Sequence, residues 1–254
     1  MAKIVVFNQK GGVGKTTTTL NLAALMVRRG LEPLVIDLDP QAHLSAISGV
    51  SVSDGRDSLY GFYHEGRPLA ELARASSGGW SVIPSHLDLS KVESQFGKGP
   101  QALQRLNAGI IRENLNTERP ILFDACPQLG VLSLNGIFAS NRVLIPVSTD
   151  YLAVNGAWQV DRTLRALEQV LKTSPMRRFV LTRFDARRNM SWKIDQKLRE
   201  RFGAELCETR IAENVSLAES PEQNRDVFAH APESRGASDY SALHDELEAT
   251  GFFD

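Results

Sequence analysis

The stretch FNQKGGVGKTTTT, Phe7–Thr19, constrains this chain more than any other part of it. The apolar run Lys3–Phe7 leads into the stretch. Behind it, Thr16–Arg29 repeats Leu20, Ala23, Ala24 and Val27 at helical spacing before a stop at Gly30. A glycine-rich turn between a strand and a helix aims backbone N–H groups at one point and adds the positive end of the helix. The backbone of Gly11, Gly12, Val13 and Gly14 is therefore expected to cradle phosphate oxygens. Lys15 is expected to reach the β- and γ-phosphates of a nucleotide, the Thr16 hydroxyl to complete a Mg²⁺ shell, and Thr17 to meet the α-phosphate. The usual loop pattern has a glycine five residues before Gly14, where this chain has Gln9, and a second lysine, Lys10, stands at the loop entrance.

A second buried-type strand, Pro33–Leu38, follows the helix, so the first 38 residues read as a βαβ unit and predict a parallel sheet. Further strands are expected at Trp80–Pro84, Pro120–Asp124, Arg142–Val147 and Arg178–Thr182. Helices are expected at Gln101–Asn116, Leu152–Lys172, Met190–Phe202 and Ser238–Ala249, with short ones inside Asp54–Ser77. Residues 1–254 show no internal repeat, low-complexity tract or linker. One α/β domain is predicted, a mostly parallel twisted sheet flanked by helices.

Three carboxylates close predicted strands on the edge that carries the loop: Asp37 and Asp39 in DLDPQ, and Asp124 in PILFD. Ligands of parallel α/β sheets bind at the C-terminal strand edge, and a carboxylate on a neighbouring strand holds Mg²⁺ in phosphate-loop enzymes. Turn capping is the structural alternative for each. Cys126 and Cys207 form no C-x-x-C pair, and the five histidines show no ligand spacing, so neither a disulfide framework nor a zinc site is expected. The first residues enter a strand directly, so neither a cationic leader nor operator-specific autoregulation is expected, and no apolar run approaches the roughly 20 residues of a membrane span. The expected location is cytoplasmic.

KGGVGKTT (Lys10–Thr17), DLDPQ (Asp37–Gln41) and DACPQLG (Asp124–Gly130) resemble the deviant phosphate-loop ATPases of the ParA/MinD class. The resemblance runs on through IPVSTDYLAVNG (Ile145–Gly156), LTRFDARRNMSWKIDQKLRERFG (Leu181–Gly203) and the segment Glu213–Leu243, and is strongest to ParA. It implies ATP/ADP and Mg²⁺ as cofactors and an ATP-dependent homodimer in which Lys10 reaches the nucleotide of the other subunit. It also implies that Asp39 positions the attacking water, with Asp37 near the metal and Asp124 associated with it. Arg183, Ile211, Ala212 and Glu213 are the implied nucleotide contacts outside the loop. The family's usual I-P-R-N-V is Ile211-Ala212-Glu213-Asn214-Val215 here, and the switch that commonly reads DxPPxLG has Cys126 before a single Pro127. A ParB-like or cargo adaptor is the implied partner, and nucleoid-associated DNA the implied track.

The net charge of −1 hides an asymmetry. Lys172–Arg201 carries ten Lys/Arg against three acids, whereas Phe202–Asp254 carries three Arg against twelve acids. Lys193, Lys197 and Arg201 recur at four-residue spacing, which puts them on one helix face, just beyond Arg187 and Arg188. These five are the expected contacts to non-specific DNA; a solvated charged face is the alternative. Two further classes share the loop. A membrane-cycling switch of MinD type would need a basic amphipathic tail, but the end of this chain is acidic, so no membrane partner is expected. A small-molecule kinase or ligase would need an acceptor site, and no motif for one is legible.

Overall fold

The computed structural model of the chain describes residues 1–97, 99–117, 119–171 and 174–254. Eight strands, β1 (Lys3–Val6), β2 (Leu34–Asp37), β3 (Arg74–Ala75), β4 (Ser81–Ile83), β5 (Ile121–Asp124), β6 (Arg142–Ser148), β7 (Met176–Phe184) and β8 (Leu206–Ala212), form one sheet. Their order is β3-β4-β2-β5-β1-β6-β7-β8. All pairings are parallel except the short antiparallel edge β3–β4. The predicted α/β class with a mostly parallel sheet is thus observed.

Successive strand residues point to opposite faces. Val5, Ile36, Phe123 and Ile145 enter one core, while Ile4, Val6, Val35, Leu122 and Leu144 enter the other. Both faces are covered, which is why these strands read as unbroken apolar runs and not as alternating ones. On the second face lie α1 (Lys15–Arg28) and the C-terminal helix α6 (Arg235–Ala249), through Leu20, Leu22, Met26, Tyr240, Leu243 and Leu247. The first face is covered by α2 (Pro100–Arg112), α3 (Val131–Ala139), α4 (Ala153–Leu171) and α5 (Asn189–Phe202). In α5 the apolar stripe Ile194, Leu198 and Phe202 is buried, and Phe202 stacks on Phe179 of β7 at 4.0 Å between centroids.

Strand and helix ends match the expected ones or differ from them by at most four residues, as helix fraying and ladder definitions allow. Of the expected helix Leu152–Lys172, Lys172 lies outside the described residues. Besides the short helices His43–Ile47, Val92–Phe96, Val215–Glu219 and Val227–His230 and the two-residue strand β3, two longer elements escape the hydrophobic pattern. The edge strand β8 (LCETRIA) is interrupted by Glu208 and Arg210, and α3 is apolar on nearly every side because it is buried all round. Met190, four residues before Ile194 on the same stripe of α5, is 41% exposed. Trp158 and Trp192 are both about half exposed; Trp192 packs edge-on against Phe184 and donates its indole N–H to the Ala186 carbonyl. Among the described residues no helix is long and apolar enough to cross a membrane.

The acidic end of α6 is tied to α1. Arg29 pairs with Asp245, and with Glu248 at 3.0 Å. With His244, those carboxylates form the one His/Cys/Asp/Glu group of metal-binding span among the described residues, but the guanidinium already bridges the two acids. His244 itself is buried against Phe253, and neither ring nitrogen has a hydrogen-bond partner among the described residues. Burial, and then the nearby Arg29 charge, push its pKa below the ordinary histidine value. The native state keeps the ring neutral, while the unfolded chain takes up a proton near pH ~6.5. This neutral ring therefore costs nothing above that pH, and stability falls as the pH drops below it. His244→Leu is expected to lose less thermal stability than the parent between about pH 7 and pH 5; identical acid sensitivity of the two proteins in a melting series would contradict this.

Candidate functional site

At the C-terminal end of β1 the chain leaves the sheet and makes the glycine loop. Asn8, buried, anchors its start: the side-chain amide donates to the Pro146 carbonyl at 2.7 Å, and its oxygen accepts the Lys10 N–H at 3.0 Å. The loop closes with Gly12 at φ 72° and Gly14 at φ 87°, left-handed conformations that only glycine adopts cheaply. Gly14 is the N-cap of α1, so the first helical N–H groups face the loop. Thr182 at the end of β7 donates its hydroxyl to the Val13 carbonyl at 2.9 Å, which fixes the outer wall.

Beneath the loop two carboxylates lie side by side. Asp37 ends β2 and Asp124 ends β5, in direct register, and both are buried. Asp124 accepts the Thr16 hydroxyl at 2.8 Å and the Thr19 hydroxyl at 3.3 Å. Asp37 accepts both the N–H and the hydroxyl of Ser45, at 2.9 and 2.6 Å, and the Asp39 N–H at 3.1 Å. Burial first, and then repulsion from Asp37, push the Asp124 carboxyl up to about 8. Burial also raises Asp37 to about 6, against the opposing Ser45 hydrogen bonds. Lys15 is folded over this pair, donating to the Lys10 carbonyl at 3.0 Å. Burial lowers its pKa, and the charges of Asp124 and Asp39 oppose that shift.

A cavity of about 490 Å³ opens above these groups. Its wall includes Gly11, Gly12, Gly14, Lys15, Thr16 and Thr17 of the loop and helix, Asp39, and the ends of β7 and β8 with Arg183, Ile211, Ala212 and Glu213. Residues far apart in sequence, singled out separately, are thereby brought to one chamber. Asp39 is partly exposed, and its carboxylate accepts the Gln41 N–H at 3.0 Å. Asp37 is different: every hydrogen bond it accepts comes from the segment that follows β2, from Asp39 and from Ser45 of the short helix His43–Ile47, so it organises the turn that presents Asp39.

The second lysine points elsewhere. Lys10 Nζ is ion-paired with Asp150, which also accepts the Ser148 hydroxyl at 2.7 Å and the Leu152 N–H at 3.1 Å. Burial works against the Asp150 carboxylate, yet the hydrogen bonds from Lys10 and Ser148 hold its pKa below the usual range. Asp150 lies in a stretch that resembles the family, but no local spacing signals a partner 140 residues away.

Three other residues support the site without having been anticipated from sequence. Tyr240 of α6 shares a hydrogen bond with Thr18 at 3.0 Å. Ser133 holds the loop Asp124–Gly130 by donating to the Gln128 carbonyl at 2.5 Å, beside the buried Cys126 thiol. Asp239 accepts the Ala212 N–H at 2.8 Å. A proline at 212, usual in the family, brings no N–H; alanine does, and Asp239 satisfies it.

The basic residues are only partly assembled. Lys193, Lys197 and Arg201 line a groove between α4 and α5 together with Tyr151, Trp158 and Met190. Arg187 and Arg188, largely exposed in the turn before α5, are both paired with Asp185. Elsewhere the positive balance of this region is neutralised from other elements. Arg177 is buried among Asp161, Glu168 and Glu205, and Arg199 pairs with Asp195 and Glu208. Lys172, where the basic run begins, lies outside the described residues.

Comparison with known proteins places this architecture. A family model described as an AAA domain matches residues 1–175. The chromosome-partitioning ATPase Soj of Thermus thermophilus is 36% identical over 254 residues, covering 97% of this chain and 95% of the relative. The sporulation initiation inhibitor protein Soj of Bacillus subtilis is 32% identical over 254 residues, covering 99% and 100%. Among solved structures, cobyrinic acid a,c-diamide synthase from Mycobacterium smegmatis with bound ADP and magnesium superposes with a TM-score of 0.82 at 25% identity, over 97% of this chain and 94% of that one. Full-length similarity to two Soj proteins, on a fold whose loop and acidic strand ends converge on one cavity, shows that the chain belongs to the ParA/Soj family of partition ATPases.

Proposed function

We propose that this protein is a Mg²⁺-dependent ATPase acting as a nucleotide switch, and that it segregates or positions a cargo (plasmid, chromosome or protein assembly) in the cytoplasm, on the nucleoid. The observation that carries the reading is the convergence of Lys15, the Thr16–Asp124 contact and Asp39 on the cavity under the glycine loop. The donors there are hard oxygens, and two buried carboxylates in register repel one another, so a divalent cation fits the electrostatics. Thr16 and, through water, Asp124 would hold Mg²⁺, with Asp37 behind them. Bound there, it neutralises charge on the phosphate oxygens.

The chain's own residues do the rest. The glycine N–H groups and Lys15 bind and orient the triphosphate, and Asp39 orients the water in line with the γ-phosphate. Lys10 serves the nucleotide of the opposite subunit in an ATP-dependent homodimer. To do so it leaves Asp150. Arg187, Arg188, Lys193, Lys197 and Arg201 bind DNA without sequence preference, and a ParB-like or cargo adaptor stimulates hydrolysis. The acidic end of the chain gives anionic lipid nothing to attract. The synthase resemblance keeps one other class in view: turnover that depends on a metabolite acceptor, and not on DNA or an adaptor, would favour a ligase.

Asp39→Ala is expected to bind ATP as the parent does but to turn over about 100-fold more slowly, remaining on DNA with ATP; parent-like turnover in a phosphate-release assay would remove Asp39 from the chemistry. Lys10→Ala is expected to retain nucleotide and lose the dimer. The Lys10–Asp150 pair is partly exposed, at 33% and 45% of the two side chains, and such pairs contribute at most about 1 kcal/mol. Asp150→Ala should therefore shift dimerisation to about two- to five-fold lower ATP; sedimentation showing no shift, or a shift to higher ATP, would mean that Asp150 does not restrain Lys10. Reversing Arg187 and Arg188 to glutamate should abolish ATP-dependent DNA binding at moderate salt with ATP affinity unchanged, as expected from losing about two phosphate contacts and adding two like charges. Unchanged DNA affinity would locate the interface elsewhere.

A further inference from the structure

A second cavity, of about 410 Å³, lies against the C-terminal half of α1 and shares no residue with the nucleotide chamber. Its size is that of a small-molecule site. The walls come from α1, from the turn between β3 and β4, and from the segment Gln223–Ala229. Two arginines line it, Arg28 of α1 and Arg225 of that segment. Among the described residues, Arg28, Arg162 and Arg225 are the arginines with neither an ion pair nor a side-chain hydrogen bond, and Arg28 and Arg225 share this cavity. Adjacent Arg29, by contrast, meets Asp245 and Glu248. The carboxylate in the wall, Asp226, is engaged with the backbone: its Oδ1 accepts the Phe228 and Ala229 N–H groups at 2.9 and 3.0 Å. Like charges without partners in one concave wall draw an anion.

The wall is held in place from several sides. The Arg28 guanidinium stands 5.3 Å from the centroid of the Phe228 ring, which leans it toward the segment that carries Arg225. Asn224 takes φ 52°, a left-handed state that asparagine tolerates better than most residues, and Arg225 follows that turn. Asn21, fully buried, accepts the Val227 N–H at 2.9 Å and donates to the Thr17 carbonyl at 2.8 Å, which ties the segment to α1. On the opposite side Gly78 lies directly on Trp80. A Cβ at 78 would sit 1.9 Å from the indole ring, so glycine alone lets the turn approach so closely. Trp80 is itself buried, and its indole N–H has no hydrogen-bond partner among the described residues. Buried donors are seldom left unpaired.

The chemistry of the wall selects the kind of anion. A phosphate monoester carries close to two negative charges near neutral pH, one for each guanidinium, and its oxygens match the guanidinium fork. A single carboxylate would answer only one of the two. Ala24, Val27 and Ala229 add an apolar side that suits a short carbon chain. We infer that this cavity binds a small phosphate monoester, held by Arg28 and Arg225. The site does not depend on the nucleotide switch proposed above.

The test is a heteronuclear NMR titration of the full chain with glycerol 3-phosphate and, separately, with glycerol. Saturating Mg·ADP keeps the nucleotide chamber occupied, so that the probe cannot enter it. The reporter is the Trp80 indole signal, assigned through Trp80→Phe, while the signals of Trp158 and Trp192, which lie outside this cavity, are internal controls. Glycerol 3-phosphate should shift Trp80 saturably, and glycerol should not. Arg28→Gln and Arg225→Gln should each weaken binding about ten-fold, with the control signals in place to show an intact fold. Lack of a saturable Trp80 shift up to about 10 mM, ten-fold above the usual range of metabolite affinities, overturns the inference. An equal response to glycerol, or parent-like affinity in both glutamine variants, also overturns it.

Discussion

Two buried carboxylates in register, Asp37 and Asp124, are the constraint around which the site is built. Parallel pairing of β2 with β5 puts them side by side, and burial makes a doubly ionised pair costly. The local structure answers that cost with donors. Ser45 and the Asp39 N–H surround one carboxylate, Thr16 and Thr19 the other, and Lys15 lies above them. Each donor comes from an element whose position depends on the pair: the turn after β2, and the first helical turns of α1. The negative charge of the pair favours a cation beside the glycine loop. An apolar replacement of both acids would suit the sheet core and would remove the reason for the loop above it.

The two lysines of the loop answer to different partners. Lys15 stays within the cradle, whereas Lys10 is drawn outward to Asp150 at the start of the segment that leads into α4. Because that pair is partly exposed, it restrains Lys10 without locking it. In the proposed dimer, a triphosphate offered by another subunit would compete on favourable terms, since it carries more charge than one carboxylate. In this account the intramolecular pair and the intersubunit contact are alternative states of one side chain. The loop's departure from the common pattern then belongs to assembly and not to nucleotide capture alone.

How much of this was legible in the chain depended on whether a signal was local. The loop, the buried strands and the acids that end them are written in runs of four to thirteen residues, and Asp37, Asp39 and Asp124 could be named from strand ends alone. Pairings across the fold were not legible. Nothing near Lys10 points to Asp150, and nothing near Ala212 points to Asp239. The charge run shows the limit from the other side. Counted along the sequence, the segment ending at Arg201 is strongly basic, but Arg177 and Arg199 meet carboxylates from other elements. What remains exposed is a shorter set, Arg187, Arg188, Lys193, Lys197 and Arg201, of which the three arginines still meet Asp185 or Asp161. Edge strand β8 was missed because its outward residues are charged, although it carries the wall of the nucleotide chamber.

The most direct test of the central claim is a crystal structure of the full chain with Mg²⁺ and a non-hydrolysable ATP analogue. The account predicts a two-fold dimer with the cation beside Thr16 and Asp124, and with Lys10 released from Asp150 onto the phosphates held by the partner subunit. A nucleotide-bound monomer with Lys10 still paired to Asp150 would contradict it.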